Sequence, residues 1–196
     1  MTINKYKDLI KFNISILVMV TSYIGYYLGL RSQDLFMIEY ESWYTLFLLL
    51  IGTFLSSSGA GVMNQYMERN YDSKMERTKT RPIPNNDISS RNALFVGLFL
   101  CFFGPFFLYY FINFLTCLIS FSTIFIYLFI YTPSKRYTSL NTIIGSIPGA
   151  LPPVGGWAAA TGNISSESLM LFSVLFCWQI PHFLSLAIIY KDDYSR

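Results

Sequence analysis

Charge is scarce in this sequence. Only 13% of its 196 residues are charged, whereas 53% are hydrophobic, and the mean hydropathy is +0.43. From Ala93 to Pro133, 41 residues pass without a single Lys, Arg, Asp or Glu, which is long enough for two membrane spans of about 20 residues each. A soluble domain of this size does not need such a run to fill its core. The composition therefore excludes an ordinary soluble domain and predicts an integral membrane protein.

Cysteines, repeats and cleavage signals are equally limited. The three cysteines fall within apolar runs and share no short spacing, which argues against a disulfide framework or a zinc knuckle; they are Cys101, Cys117 and Cys177. No heptads, tandem repeats or hydrophilic domain stand out. The first apolar run ends at Arg31 without a small-residue cleavage site, so we interpret it as a retained span rather than a signal peptide.

Six segments are long and apolar enough to cross a bilayer. They are Phe12 to Leu30, Trp43 to Met63, Ala93 to Ile112, Phe114 to Thr132, Thr142 to Thr161 and Leu169 to Tyr190, with a turn near Ile112-Asn113 between the third and fourth. This pattern predicts an all-α polytopic bundle of six transmembrane helices. With six spans, 13 of the 14 basic residues lie on one side. The positive-inside rule places that side, with the N-terminus, in the cytoplasm or its organellar equivalent.

The fifth segment carries seven helix breakers, because Gly and Pro recur from Gly145 to Gly156. Proline removes a backbone donor and clashes with the preceding turn, and irregular backbone at membrane depth is tolerated where it lines a cavity. We therefore expect an irregular cavity wall here. A proline-kinked packing helix is the alternative.

Oxygen-bearing side chains recur every four residues after the second segment, at Asn64, Glu68, Asp72 and Glu76. On a helix this spacing forms a stripe along one face. The stripe begins where the second span leaves the membrane, a depth at which a cation could hold a diphosphate whose apolar tail lies in the bilayer. Magnesium favours oxygen ligands and is usually held by one or two carboxylates together with substrate phosphates. The stripe predicts a Mg²⁺ site.

Basic residues are interleaved with this stripe, namely Arg69, Lys74, Arg77, Lys79 and Arg81. A departing diphosphate needs such cations because negative charge builds on it as its carbon–oxygen bond breaks. The alternative is a solvated loop whose charges fix topology. That alternative explains Lys79 and Arg91 at least as well. It does not explain Asn64, Glu68 and Asp72, because an amide and two acids at helical spacing do not influence how the chain is oriented in the membrane.

Two further groups return to the same side of the predicted bundle. Lys135-Arg136 follows the fourth span, and Lys191-Asp192-Asp193-Tyr194 ends the sixth. Asp192 and Asp193 could hold a second metal ion or the same diphosphate. The only histidine, His182, lies inside the sixth apolar segment, where an ionisable group is a functional candidate. It could ligate a heme iron, orient a propionate or act as a base, or be a neutral histidine bonded between helices.

Three stretches carry a family resemblance: NQYMERNYDSKMERTKTRP from Asn64, YTPSKRYTSLNTIIGSIPGALPPVGGWAAATG from Tyr131, and WQIPHFLSLAIIYKDDYSR from Trp178. Together they resemble the protoheme IX farnesyltransferases (heme O synthases), a branch of the UbiA superfamily of polytopic prenyltransferases. The family has nine transmembrane helices around a central cavity. The resemblance therefore implies that residues 1–196 form a single transmembrane prenyltransferase domain that is incomplete at its C-terminal end.

The resemblance also implies roles for individual residues. Asn64, Glu68 and Asp72 would bind Mg²⁺ and diphosphate, although many relatives carry Asp at the position of Glu68, and Asp192 and Asp193 would form the second acidic motif. The predicted substrate-binding set is Arg77, Lys79, Arg81, Lys135, Arg136, His182 and Tyr194.

The implied activity is Mg²⁺-dependent transfer of a farnesyl group from farnesyl diphosphate to a vinyl group of heme B, giving heme O and diphosphate. The expected setting is a bacterial or organellar inner membrane, with membrane lipid and heme-pathway membrane proteins as partners and no nucleic acid. Three alternatives stay open: prenylation of an aromatic quinone or chlorophyll precursor, a transporter or channel, and a heme-binding assembly factor without catalysis.

Overall fold

The long apolar runs fold as helices. The structure, a computed structural model, describes residues 2–138 and 140–189, and within them no β-strand occurs. The elements are α1 (Thr2–Leu9), α2 (Phe12–Arg31), α3 (Tyr40–Asp72), α4 (Ser90–Phe111), α5 (Phe114–Phe125), a π-helix (Ile126–Tyr131), α6 (Thr132–Ser134), α7 (Asn141–Thr161) and α8 (Ser166–Ile189).

Five predicted spans are confirmed as helices long and apolar enough to cross a membrane: α2, α3, α4, the continuous stretch from α5 through α6, and α8. The predicted turn between the third and fourth spans is also confirmed. It falls at Ile112 and Asn113, where Asn113 Oδ1 accepts a hydrogen bond from the Thr116 backbone N–H at 2.8 Å and so caps α5. A short helix that was not predicted, α1, precedes the first span.

The outer surface of the bundle is apolar. On α4, the aromatic rings of Phe99, Phe102, Phe106 and Tyr110 are each more than 60% exposed. A water-soluble protein rarely leaves so large an apolar face uncovered, whereas hydrocarbon tails cover it without cost. The chain is an integral membrane protein.

Helix α7 corrects the prediction for the fifth segment. Residues 141–161 form one uninterrupted helix despite Pro148, Pro152 and Pro153, and the expected irregular backbone is wrong. This helix of 21 residues is long enough to span a bilayer, although it is not among the five that qualify by composition. It packs against α2, α5 and α8. Neighbouring helices make prolines tolerable in such a position.

The glycines of α7 serve close packing. A Cβ on Gly156 would overlap the Ser22 carbonyl oxygen on α2, and a Cβ on Gly25 of α2 would overlap the Pro153 carbonyl of α7. The two helices therefore meet backbone to backbone, as small residues allow in membrane proteins. Residues that break helices in water act here as a contact surface.

We predict that Gly156→Ala destabilises the bundle by about 1–3 kcal/mol, because its new methyl group forces α2 and α7 apart. Gly155→Ala is the matched control, since its Cβ would meet only the Ile119 side chain at 3.5 Å. The fraction of detergent-solubilised protein that stays monodisperse after heating measures the effect. Equal losses in both variants would contradict the backbone contact.

Candidate functional site

The predicted stripe lies on a helix for three of its four members. Helix α3 continues beyond its predicted end at Met63 and stops at Asp72, so it carries Asn64, Glu68 and Asp72 on one face. Glu76 lies in the turns that follow the helix, where it pairs with Lys79; its predicted place in the helical stripe is wrong. Asn64 and Asp72 are buried.

Each of the three stripe residues on α3 contacts a cation from a different segment. Lys11 Nζ donates to Asn64 Oδ1 at 2.5 Å, Lys135 Nζ donates to Glu68 Oε1 at 2.9 Å, and Arg81 Nη1 donates to Asp72 Oδ2 at 2.7 Å. The cations come from the α1–α2 junction, the segment after α6 and the loop after α3. Three parts of the chain that are distant in sequence thus meet on one helix face.

The backbone of the junction between α1 and α2 brings Lys11 to Asn64 of the stripe. Lys11 has φ 51° and ψ 51°, the left-handed conformation, which costs a residue other than glycine about 1–2 kcal/mol. Gly61 of α3 lets the junction approach, since a Cβ there would lie 3.2 Å from the Ile10 carbonyl oxygen. Gln65 then fixes the end of α1, because its Nε2 donates to the carbonyls of Asp8 at 2.8 Å and Leu9 at 3.2 Å.

Basic side chains outnumber carboxylates at this site. The pKa of Lys11 is lowered to about 7, chiefly by burial and also by the nearby positive charges of Arg81 and Lys135, against the opposing effect of Glu68 and Asp72. Three basic side chains thus face two carboxylates. An anion bound among them would favour the charged form of Lys11, so the electrostatics fit a negatively charged ligand.

The remaining predicted cations lie around this centre. Arg136 stacks over the Tyr71 ring, its guanidinium carbon 4.1 Å from the ring centroid. Lys79 forms an exposed ion pair with Glu76 at 2.5 Å, a contact that explains it without any ligand. Arg77 lies in the same segment of turns.

The other predicted site residues are on or beyond α8. His182 is exposed, and its ring stacks on Trp178 with 5.0 Å between the centroids. Within residues 2–138 and 140–189, no hydrogen bond joins its ring to another helix, so the prediction of a histidine bonded between helices finds no support there. Asp192, Asp193 and Tyr194 lie outside the described residues.

The donors on α3 fit a magnesium ion only in combination with other oxygens. Among residues 2–138 and 140–189, no group of three or more His, Cys, Asp or Glu side chains is placed to hold a metal. The stripe offers two carboxylates and one amide carbonyl, and all three already face cationic groups. This set suits Mg²⁺ that shares its coordination with phosphate oxygens.

Sequence reasoning missed several residues of the site. Lys11 was counted only toward topology, although its place directly before the first span puts it at the same depth as Asn64, which directly follows the second predicted span. Gln65, Tyr127 and Thr132 gave no signal, because their roles depend on contacts between segments more than 50 residues apart.

Comparison with known proteins agrees with this geometry. The UbiA prenyltransferase family model matches residues 18–196. The chain belongs to the UbiA prenyltransferase family. A solved structure, described as giving insights into the biosynthesis of digeranylgeranylglyceryl phosphate synthase in membranes, superposes with a TM-score of 0.80 at 16% identity, covering 99% of this chain and 65% of that one. It shares the fold.

Relatives within the UbiA family are more similar in sequence. The protoheme IX farnesyltransferase of Solibacter usitatus is 42% identical over 193 residues, and that of Koribacter versatilis is 37% identical over 191. The mitochondrial protoheme IX farnesyltransferase of Arabidopsis thaliana is 37% identical over 190. Each alignment covers 97% of this chain, which spans 66%, 60% and 43% of these relatives, respectively.

We predict that Gln65→Ala loosens α1, because it leaves the Asp8 and Leu9 carbonyls without their donor at a cost of about 1–3 kcal/mol. Hydrogen exchange in residues 2–9 should become faster. Gln33→Ala, in the loop after α2, should leave that exchange unchanged. Unaltered protection of α1 in Gln65→Ala would show that other contacts hold it.

Proposed function

We propose that this chain carries the diphosphate site of an intramembrane prenyltransferase that transfers a farnesyl group to a vinyl group of heme B. The products are heme O and diphosphate. The observation that carries the proposal is the convergence of Lys11, Arg81 and Lys135 on the oxygen stripe of α3. Family membership supports prenyl transfer, and the names of the relatives support heme as the acceptor.

The cations have a direct part in this chemistry. When the bond between farnesyl carbon 1 and the diphosphate oxygen breaks, its electron pair leaves with diphosphate. Arg81 and Lys135 stabilise that developing charge, Arg81 by a fork of donors and Lys135 as a point charge. Arg136, and Arg77 in the loop after α3, extend the same positive field. Lys79 is the weakest member of the proposed set, since Glu76 already pairs with it.

Asn64, Glu68 and Asp72 would hold Mg²⁺ against the diphosphate, with Asp192 and Asp193 as the second acidic motif and Tyr194 beside it. Bound there, Mg²⁺ would neutralise diphosphate charge and so make diphosphate a better leaving group. The vinyl group of heme then supplies the electrons for the new carbon–carbon bond. Water adds the hydroxyl group and releases a proton.

We assign the acceptor side to α8. The stacked rings of Trp178 and His182 are both exposed and offer a flat surface and an imidazole to a planar macrocycle. Helix α7 contacts both α8 near these rings and the segment beside the stripe. Its Gly149 packs on Gln179, the residue after Trp178, and its Gly145 packs on Tyr131, the residue before Thr132.

The charged groups favour an enzyme over a transporter. The stripe residues lie at the end of α3, and their cationic partners lie in segments outside the spans, whereas transporter sites lie near the middle of the bilayer. The excess of basic residues at this end of the bundle supports a location in the cytoplasm of a bacterium or in an organellar matrix.

The test is heme O formation by the chain in lipid nanodiscs with heme B, farnesyl diphosphate and Mg²⁺. Asp72→Asn should lower the rate at least about 100-fold, since it removes a charged ligand while preserving shape. Asp87→Asn, which changes an exposed loop acid paired with Lys5, should retain activity. If no heme O forms with any Mg²⁺ concentration, the proposal fails.

A second prediction concerns Lys11. Lys11→Met keeps an unbranched side chain that is one atom shorter but removes its charge, so the KM for farnesyl diphosphate should rise about 10-fold. Lys7→Met removes the same charge from α1, where the Lys7 ammonium lies over the Phe12 ring at 5.6 Å, and should change the KM little. Similar increases in KM for the two substitutions would indicate that Lys11 acts through the general positive charge of this region and not through a specific contact.

A further inference from the structure

Four residues, including Asn64 of the stripe, form a ring of hydrogen bonds that closes through both the hydroxyl group and the backbone carbonyl of Tyr127. Lys11 Nζ donates to Asn64 Oδ1 at 2.5 Å and to the Tyr127 hydroxyl at 3.4 Å. Asn64 Nδ2 donates to Thr132 Oγ1 at 3.1 Å. Thr132 Oγ1 in turn donates to the Tyr127 backbone carbonyl at 2.8 Å. The ring links the start of α2, the stripe on α3 and the π-helix.

The ring fixes which way the Asn64 carboxamide points. In its charged form Lys11 can only donate, so the amide oxygen faces it. The Thr132 hydroxyl gives its one proton to Tyr127 and can therefore only accept from Asn64, so the amide NH₂ must face Thr132. Reversing the carboxamide would place donor against donor on one side and acceptor against acceptor on the other.

The π-helix makes this arrangement possible. Its wider turn lets the Thr132 hydroxyl reach the carbonyl five residues earlier in the chain, while the Tyr127 hydroxyl reaches Lys11. Tyr127, near the start of the π-helix, and Thr132, directly after its end, thus contact the Lys11–Asn64 pair. Single π-helical turns inside α-helices often occur at functional sites. Thr132 itself is fully buried.

We propose that Thr132 is a positioning residue that keeps the amide oxygen of Asn64 turned toward the diphosphate site. Lys11 alone orients this oxygen only while its ammonium stays in contact. When Mg²⁺ and diphosphate bind, Lys11 and the metal compete for the same oxygen, and Thr132 is then the group that holds the carboxamide in the ligand orientation. This inference rests on the proposed function, because it requires a metal at the stripe.

The simpler explanation is that Thr132 only satisfies a helix carbonyl. Thr123 does that in the same span, where its Oγ1 donates to the Ile119 carbonyl at 2.7 Å. Thr123 has no bond to the stripe among those found in the structure. Thr123→Val is therefore a matched control, since it removes the same chemical group and a comparable hydrogen bond.

The experiment measures binding of farnesyl diphosphate, without heme, to the chain in nanodiscs while Mg²⁺ is titrated. Thr132→Val should raise the Mg²⁺ concentration for half-maximal binding about 10-fold, the usual effect of losing a partner that orients a metal ligand. Excess Mg²⁺ should restore binding. Thr132→Ser keeps the hydroxyl group and should match the unmodified chain, as should Thr123→Val.

The outcomes separate the two proposals. Unchanged Mg²⁺ dependence in Thr132→Val, with Mg²⁺-dependent binding intact in the unmodified chain, overturns the role of Thr132 alone. A loss of binding in Thr132→Val that excess Mg²⁺ does not restore shows a structural role and also overturns it. If farnesyl diphosphate binding by the unmodified chain does not depend on Mg²⁺, both the inference and the proposed metal site fail.

Discussion

The contact between Lys11 and Asn64 sets the arrangement of the site. It is made possible by an unfavourable backbone conformation at Lys11, by the missing side chain at Gly61 and by the Gln65 bonds that hold the end of α1. It also fixes where α2 enters the bundle, and α2 in turn packs backbone to backbone on α7. A strained residue between two helices persists only where its surroundings determine it, and here those surroundings come from α3, the helix that carries the proposed ligands.

Local pattern was enough to predict most of the fold. The predicted ends of the first and fourth spans differ from the observed helices by no more than two residues. The length of each span follows from the apolar run needed to cross the bilayer, and the sequence shows that run directly. The stripe at Asn64, Glu68 and Asp72 followed from helical periodicity. The error at α7 has a clear physical cause. Gly and Pro break an isolated helix, whereas Gly156 is required by the Ser22 carbonyl of a helix more than 100 residues away.

The partners within the site could not be predicted in the same way. Nothing in the spacing of Lys11, Arg81 and Lys135 assigns each to one stripe residue, since each pair depends on a tertiary contact. The orientation of the Asn64 carboxamide is even harder to predict from the sequence. It depends on Thr132, whose hydroxyl is oriented by Tyr127, and the π-helix that brings these two together has no evident sequence signal.

The pairing of every stripe residue with a cation bears on how the site would respond to its ligands. Cations and carboxylates that already neutralise one another can be buried near a membrane at less cost than separate charges. Binding of Mg²⁺ and diphosphate would then exchange partners. The carboxylates would turn from Lys135 and Arg81 to the metal, and these cations would turn to phosphate oxygens. Because the carboxylates and cations already meet on one face of α3, the ligands need not draw them together from separate parts of the chain, and less ordering is left to oppose binding.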